Sequence, residues 1–226
     1  LCPEPLMRRV MTDMHMPEIT IAYGLTEASP GITLTPRDAS IEERTQSVGR
    51  VLPDLEVRIV DPSTGRARAP GQAGELCVRG YNVMKGYYND PGATEKAFRG
   101  GYFHTGDAAV VHPDGYVEIR DRYKDVIISG GENISSIEVE GALLRHPAIL
   151  EVAVVGMPHE RWGESPHAFV VLRPGQSSTA EEMREFARDS LAHFKVPSAF
   201  TFVQELPKTA TGKIQKFVLR GGKAAI

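Results

Sequence analysis

Several things that would commit a chain to a class are scarce here. Only two cysteines, Cys2 and Cys77, occur in 226 residues. Two cysteines so far apart build neither a disulfide framework nor the paired spacing of a structural zinc site. A reducing compartment, the cytoplasm, is therefore expected. Neither sign of charge dominates, the formal net charge being -3, so no basic face is on offer to nucleic acid and the run Met7-Arg8-Arg9 reads as solvated surface. The seven histidines form no HxxxH or HxH pair. His112 and His146 each precede a proline, a setting that favours turns over ligands. No apolar run approaches the roughly 18 to 20 residues needed to span a bilayer, and no charged start followed by a long apolar core marks a secretory signal. The start at Leu1 reads as an internal cut in a longer protein. The end, Lys223 to Ile226, is not a peroxisomal address of the Ser-Lys-Leu kind.

What is present is ordinary for a folded chain, with 41% apolar and 24% charged residues, enough for one large domain or two small ones. Residues 1 to 48 mix helix and loop around the string YGLTEASPG, Tyr23 to Gly31. Residues 49 to 120 are cut by turn signals such as Asp61-Pro62, Pro70-Gly71 and Pro113-Asp114-Gly115. Between them Val57 and Ile59 alternate with Glu56 and Arg58, and Leu76 and Val78 with Glu75, Cys77 and Arg79. A period of two predicts half-buried strands, arranged as a small antiparallel barrel or meander. In such a strand Cys77 reads as a small buried hydrophobe. The charged run DRYKD, Asp121 to Asp125, places a domain boundary that divides the chain into residues 1 to 121 and 122 to 226. Beyond it, strands are expected at 126 to 128, 152 to 155, 169 to 172 and 200 to 203. Capping boxes at Ser135/Glu138 and Thr179/Glu182 open two helices, the first stopped by Pro147. This interleaving predicts a small α+β domain.

Four strings carry chemistry. In YGLTE, Thr26 offers a hydroxyl to a phosphate oxygen, Glu27 a hard oxygen to Mg²⁺, and Tyr23 a ring to a purine; a surface loop is the plain alternative. In HTGD, His104 to Asp107, a carboxylate after a glycine turn can accept both hydrogen bonds of a vicinal diol, as in ribose recognition, or can be a solvated turn aspartate. In DRYKDVIISGGEN, Arg122 is a fixed cation with a planar donor fork, and Gly130-Gly131 allows a ligand close to the backbone or makes a tight turn. Thr211-Gly212-Lys213 looks like the end of a phosphate loop, but Ile214 follows the lysine where a hydroxyl residue is needed, so it is not one.

The order and separation of these strings resemble the AMP-forming acyl-activating superfamily of acyl-CoA synthetases, luciferases and peptide-synthetase adenylation domains. The join GELCVRGYNVMKGYYNDPGAT, Gly74 to Thr94, and LAHFKVP, Leu191 to Pro197, match it too. GGENISSIEVE, RHPAILEVAVVGMPHERWGE and TGKIQKFVLR are most similar to fatty-acyl-CoA synthetases of the medium-chain type. The resemblance covers essentially the whole chain. It implies an α/β and α+β fold: the C-terminal part of the large acyl-adenylate-forming domain with its small β-barrel, then a small mobile lid domain.

The implied function is ATP-dependent activation of a carboxylic acid to acyl-AMP and then to acyl-CoA, with ATP, Mg²⁺ and coenzyme A. By the same resemblance Glu27 holds Mg²⁺, Thr26 contacts the α-phosphate, and Tyr23 with Gly24 faces adenine. Asp107 holds the ribose hydroxyls with Arg122 alongside, and Lys213 meets charge developing on the phosphoryl group and the carboxylate. Lys124 is the hinge, and Gly130-Gly131 lines the path of the pantetheine thiol. The family's Ser/Thr/Gly-rich phosphate loop is absent from residues 1 to 22. Two alternatives stand beside this reading: an inactive or partner-dependent half of a split enzyme, or an adenylation domain of another acid-activating branch.

Overall fold

A computed structural model describes residues 4–210 and 212–221, so Cys2 and Thr211 lie outside the described residues. The chain divides into two units, Leu1–Tyr123 and Lys124–Ile226. The division falls two residues later than the charged run places it, because Asp121 and Arg122 complete a strand, Asp121 buried at 2% exposure.

In the first unit, α1 (Glu4–Asp13) buries Met7. The YGLTE string, expected in helix and loop, joins two strands. It runs from β1 (Ala22–Gly24) through one 3-10 turn (Thr26–Ala28) into β2 (Gly31–Leu34), paired antiparallel with Gly24 opposite Gly31. Gly24 admits no side chain there: a Cβ would stand 1.5 Å from the Pro30 carbonyl oxygen. Ser40 and Glu43 form a reciprocal capping box on α2 (Ile41–Gln46). Buried Arg44 on this helix donates to the carbonyls of Pro17 and Arg37 at 2.8 and 2.7 Å.

Next come β3 (Arg50–Val51), β4 (Leu55–Val60), β5 (Gly74–Gly80), α3 (Pro91–Ala97), β6 (Phe98–Arg99), β7 (Tyr102–Val111) and β8 (Val117–Arg122). The sheet order is β4-β5-β7-β6, with β8 also on β7, all antiparallel. The Arg50–Tyr116 bridge and hydrogen bonds of Val48 and Gly49 to Val117 join β8 back to the β1-β2-β3 sheet, so the strands curl into a half-barrel. β5 is buried on both faces, not one. Leu76 and Val78 pack with Ile32, Phe103 and Val117, while Cys77 packs with Val60 and Tyr102. Burying such aliphatic side chains stabilises by about 1.5–3 kcal/mol each.

The second unit contains β9 (Ile127–Ser129), β10 (Glu132–Ile134), α4 (Ser136–Leu143), β11 (Ile149–His159), β12 (Gly163–Leu172), α5 (Ala180–Arg188), β13 (Ala199–Phe202) and α6 (Lys216–Leu219). Its sheet runs β10-β9-β12-β11, and β13 lies parallel on β12. Alternation sorts the side chains to two faces. Val152, Val154, Ala168 and Val170 meet Val139, Leu143, Met183 and Ala187 of α4 and α5. Ala153 and Val171 face the other way and meet Leu206, with Ile214 and Leu219 packed alongside. The chain after β13 is thus held across the second face by apolar contacts.

Candidate functional site

Asp107 owes its position to a bulge. Between the pairs Glu75–Ala108 and Cys77–His104, β5 has the single residue Leu76, whereas β7 has Thr105, Gly106 and Asp107. Extra residues on one strand bend it and re-aim side chains. Gly106 supplies the left-handed turn at φ +73°. The Thr105 hydroxyl donates to the Leu76 carbonyl at 2.8 Å and accepts from the Asp107 N–H at 3.1 Å. Gly106 N–H donates to Glu75 Oε1 at 3.2 Å.

On that arch Asp107 is 3% exposed and held by two donors. The Tyr23 hydroxyl donates to Oδ2 at 2.6 Å and Arg122 Nε to Oδ1 at 3.1 Å. Hydrogen bonds to a charged acceptor are worth about 1.5–3 kcal/mol each. Burial, and then the Asp107 charge, push the Tyr23 phenol far above its ordinary value, so it stays a neutral donor. Each carboxylate oxygen has lone pairs left over, which fits a vicinal diol. Arg122 is half exposed, leaving its guanidinium open to a further anion.

Glu27 lies in the 3-10 turn, and its Oε1 accepts from the Tyr87 hydroxyl at 3.0 Å. The Met84 N–H donates to the Glu27 carbonyl at 2.8 Å, and Asn82 Nδ2 donates to the carbonyls of Ala28 and Gly31, both at 2.7 Å. The segment after β5 therefore fixes the whole turn. Thr26 is exposed beside Glu27. A half-exposed carboxylate with oxygen lone pairs to spare fits a hard divalent cation.

The remaining expected residues belong to the second unit, whose first residue is Lys124. Gly130 and Gly131 form the two-residue turn between β9 and β10, both left-handed at φ +60° and +88°. Gly130 N–H donates to the Trp162 carbonyl at 2.9 Å, and a Cβ at Gly130 would meet the Trp162 ring at 2.9 Å. Lys213 is exposed on the arm of a hairpin, next to its turn. Lys208 bridges Ile214, Thr209 N–H donates to the Lys213 carbonyl at 2.8 Å, and Lys213 N–H donates to Thr209 Oγ1 at 3.1 Å. The hairpin is anchored by Lys208 to Glu151 and by Lys216 to Glu140, both at 2.7 Å.

The structure thus brings together Tyr23, Asp107 and Arg122, and holds Glu27 by Tyr87, to which the sequence alone assigns no role. Tyr87 sits within the recognised join Gly74 to Thr94, which was the available signal. The reading also missed the meeting of Cys77 with His104 and Glu75, for which no local spacing gives a clue.

Residues 1–88 match the family model described as AMP-binding enzyme, and residues 138–213 the AMP-binding enzyme C-terminal domain. The chain belongs to this AMP-binding enzyme family. It is 47% identical over 97% of its length to a putative acyl-CoA synthetase, YngI, of Bacillus subtilis, and spans 40% of that protein. It is 42% identical over 96% of its length to the mitochondrial medium-chain acyl-CoA ligase ACSF2 of Bos taurus, of which it spans 36%. Among solved structures, o-succinylbenzoate CoA synthetase (MenE) of Bacillus subtilis in complex with its acyl-adenylate intermediate superposes with TM-score 0.87 at 34% identity, covering 98% of this chain and 44% of that one. The chain therefore spans less than half the length of the relatives it matches. Among the described residues no helix is long and apolar enough to cross a membrane.

Proposed function

We propose that this chain supplies the ribose-binding half-site and the lysine-bearing C-terminal domain of an AMP-forming acid–thiol ligase acting on a fatty acid. The observation that carries the reading is the buried Asp107 carboxylate fixed by Tyr23 and Arg122. Asp107 accepts the two ribose hydroxyls of ATP, and Arg122 directs its free N–H groups to neighbouring oxygens. Thr26 donates to the α-phosphate, and Tyr23 and Gly24 border the adenine. Glu27 would hold Mg²⁺, which supplies charge neutralisation for the phosphates.

The acid's carboxylate attacks the α-phosphorus, releasing pyrophosphate and leaving acyl-AMP. Lys213 stabilises the charge that develops there. The thiol of coenzyme A then attacks the acyl carbon and AMP leaves. Lys124, at the division between the units, serves as the pivot that exchanges Lys213 for the Gly130-Gly131 turn between these steps. The cytoplasm is the location we assign from cysteine content, although the bovine relative is named mitochondrial.

Pyrophosphate release with ATP, Mg²⁺ and a panel of fatty acids tests this reading. We expect none from the chain alone and turnover once the upstream half is added. Turnover that survives Asp107→Ala in the completed enzyme would sink the ribose assignment.

A further inference from the structure

Glu75, Cys77 and His104 converge on the face of β5 turned away from the Leu76–Val78 core. His104 Nδ1 lies 2.7 Å from Glu75 Oε2 and 3.3 Å from Cys77 Sγ. All three side chains are nearly buried: Cys77 1% exposed, and the His104 and Glu75 side chains 10% and 8%. Cys77, His104 and Arg99 line a cavity of about 430 Å³ that also touches exposed Ser63 and Thr64, so it reaches solvent.

We propose that Glu75, Cys77 and His104 form a binding site for a borderline-soft divalent cation of the Zn²⁺ class, its open position facing this cavity. One sulfur, one imidazole nitrogen and one carboxylate oxygen suit Zn²⁺ or Co²⁺ and disfavour Mg²⁺ and Ca²⁺. A tetrahedral zinc site separates sulfur from nitrogen by about 3.6 Å and nitrogen from oxygen by about 3.4 Å. The observed 3.3 and 2.7 Å need only a slight opening, the oxygen moving furthest.

Arg99 competes for the same ligand atoms. Arg99 Nη2 stands 3.0 Å from His104 Nδ1 and 3.4 Å from Glu75 Oε2. With its side chain 55% exposed, it can withdraw to solvent. On binding, the Cys77 thiol releases its proton to solvent and the thiolate becomes a ligand. Burial, and then the Glu75 charge, push that thiol up to about 12. The inference stands whether or not the proposed reaction is correct.

The test is a Co²⁺ titration of the whole chain carrying Cys2→Ser, in metal-free buffer with a non-thiol reductant. We expect one equivalent bound, with a thiolate-to-cobalt charge-transfer band that Zn²⁺ abolishes by displacement and Mg²⁺ leaves intact. Cys77→Ser abolishes the band. His104→Gln and Glu75→Gln weaken binding by at least ~tenfold, the cost of losing even an outer hydrogen-bonding partner at a metal site. Arg99→Ala, at an exposed position, binds more tightly, and it carries the test should a buried variant fail to fold. No band in the Cys2→Ser chain, a band that survives Cys77→Ser, or unchanged affinity in Arg99→Ala overturns the site.

Discussion

The two units bury different things. Among the described residues the first unit takes Arg44, Glu75, Asp107 and Asp121 out of water, whereas the buried polar residues of the second are Ser136 and Ser165. Buried charges are costly unless paired, and breaking a pair is costlier still. The second unit instead spends both faces of its sheet on aliphatic packing. Its expected functional residues, Lys213 and the Gly130-Gly131 turn, stand on the surface of that scaffold. The contrast separates a unit that buries paired charges from one that buries aliphatic side chains on both faces of its sheet.

Four experiments would break or sharpen this contrast. The largest effect is expected on dividing the chain. Residues 124–226 alone should unfold cooperatively in urea, while residues 1–123 should aggregate or lack a sharp transition. Leu6, Met14 and Met16 at 50%, 63% and 46% exposure leave apolar surface that invites association. Two equally cooperative transitions would erase the distinction.

Lys213→Ala in the completed enzyme comes next. Acyl-AMP formation should slow by about 10²–10³-fold, the usual cost of losing one donor to a developing charge. Thioester formation from preformed adenylate should keep its rate. Equal slowing of both half-reactions would refute the surface-presentation role.

Tyr23→Phe should raise the nucleotide Kd by about tenfold, since it deletes one donor to a charged acceptor while keeping the ring. Calorimetry with AMP on the completed enzyme measures this, and unchanged affinity would detach Tyr23 from the site.

The smallest effect concerns pH and the second unit. Burial lowers the His167 value below its ordinary 6.5. The unfolded chain therefore takes up the proton first as pH falls, so stability is full above about 6.5 and declines below it toward the folded value. Urea midpoints of residues 124–226 between neutral and mildly acid pH should show this slope, and His167→Gln should flatten it. His167 also contacts Thr201 Oγ1 at 2.8 Å and stacks on Phe169, so the variant's midpoint at neutral pH provides the baseline.

Local signals translated well into local structure. Thr179 and Glu182 form the reciprocal box that opens α5. Ser135 also accepts from the Glu138 N–H, but the Glu138 carboxylate goes to Lys195 at 2.6 Å, a partner 57 residues away that no helix-start rule contains. The strands expected at 152 to 155 and 169 to 172 extend to β11 and β12, past Pro158 and Pro166. Pro158 lies on an edge strand, where a missing N–H costs little. The Pro166 carbonyl accepts from the Ser198 N–H at 2.9 Å. Resemblance supplied the family and the candidate residues of its site, whereas spacing alone left each string with a plain alternative.

By itself the sequence determined the periods of strands and helices and the residue types available for chemistry, because these depend on neighbours a few positions apart. Only the tertiary structure decided that Tyr23 meets Asp107 across 84 residues and that Cys77 meets His104 across 27. The first depends on the bulge at Thr105 to Asp107, the second on the strand register that sets Cys77 opposite His104. A shift of one residue turns a strand's side chains to the opposite face, so these pairings are set by the assembled sheet.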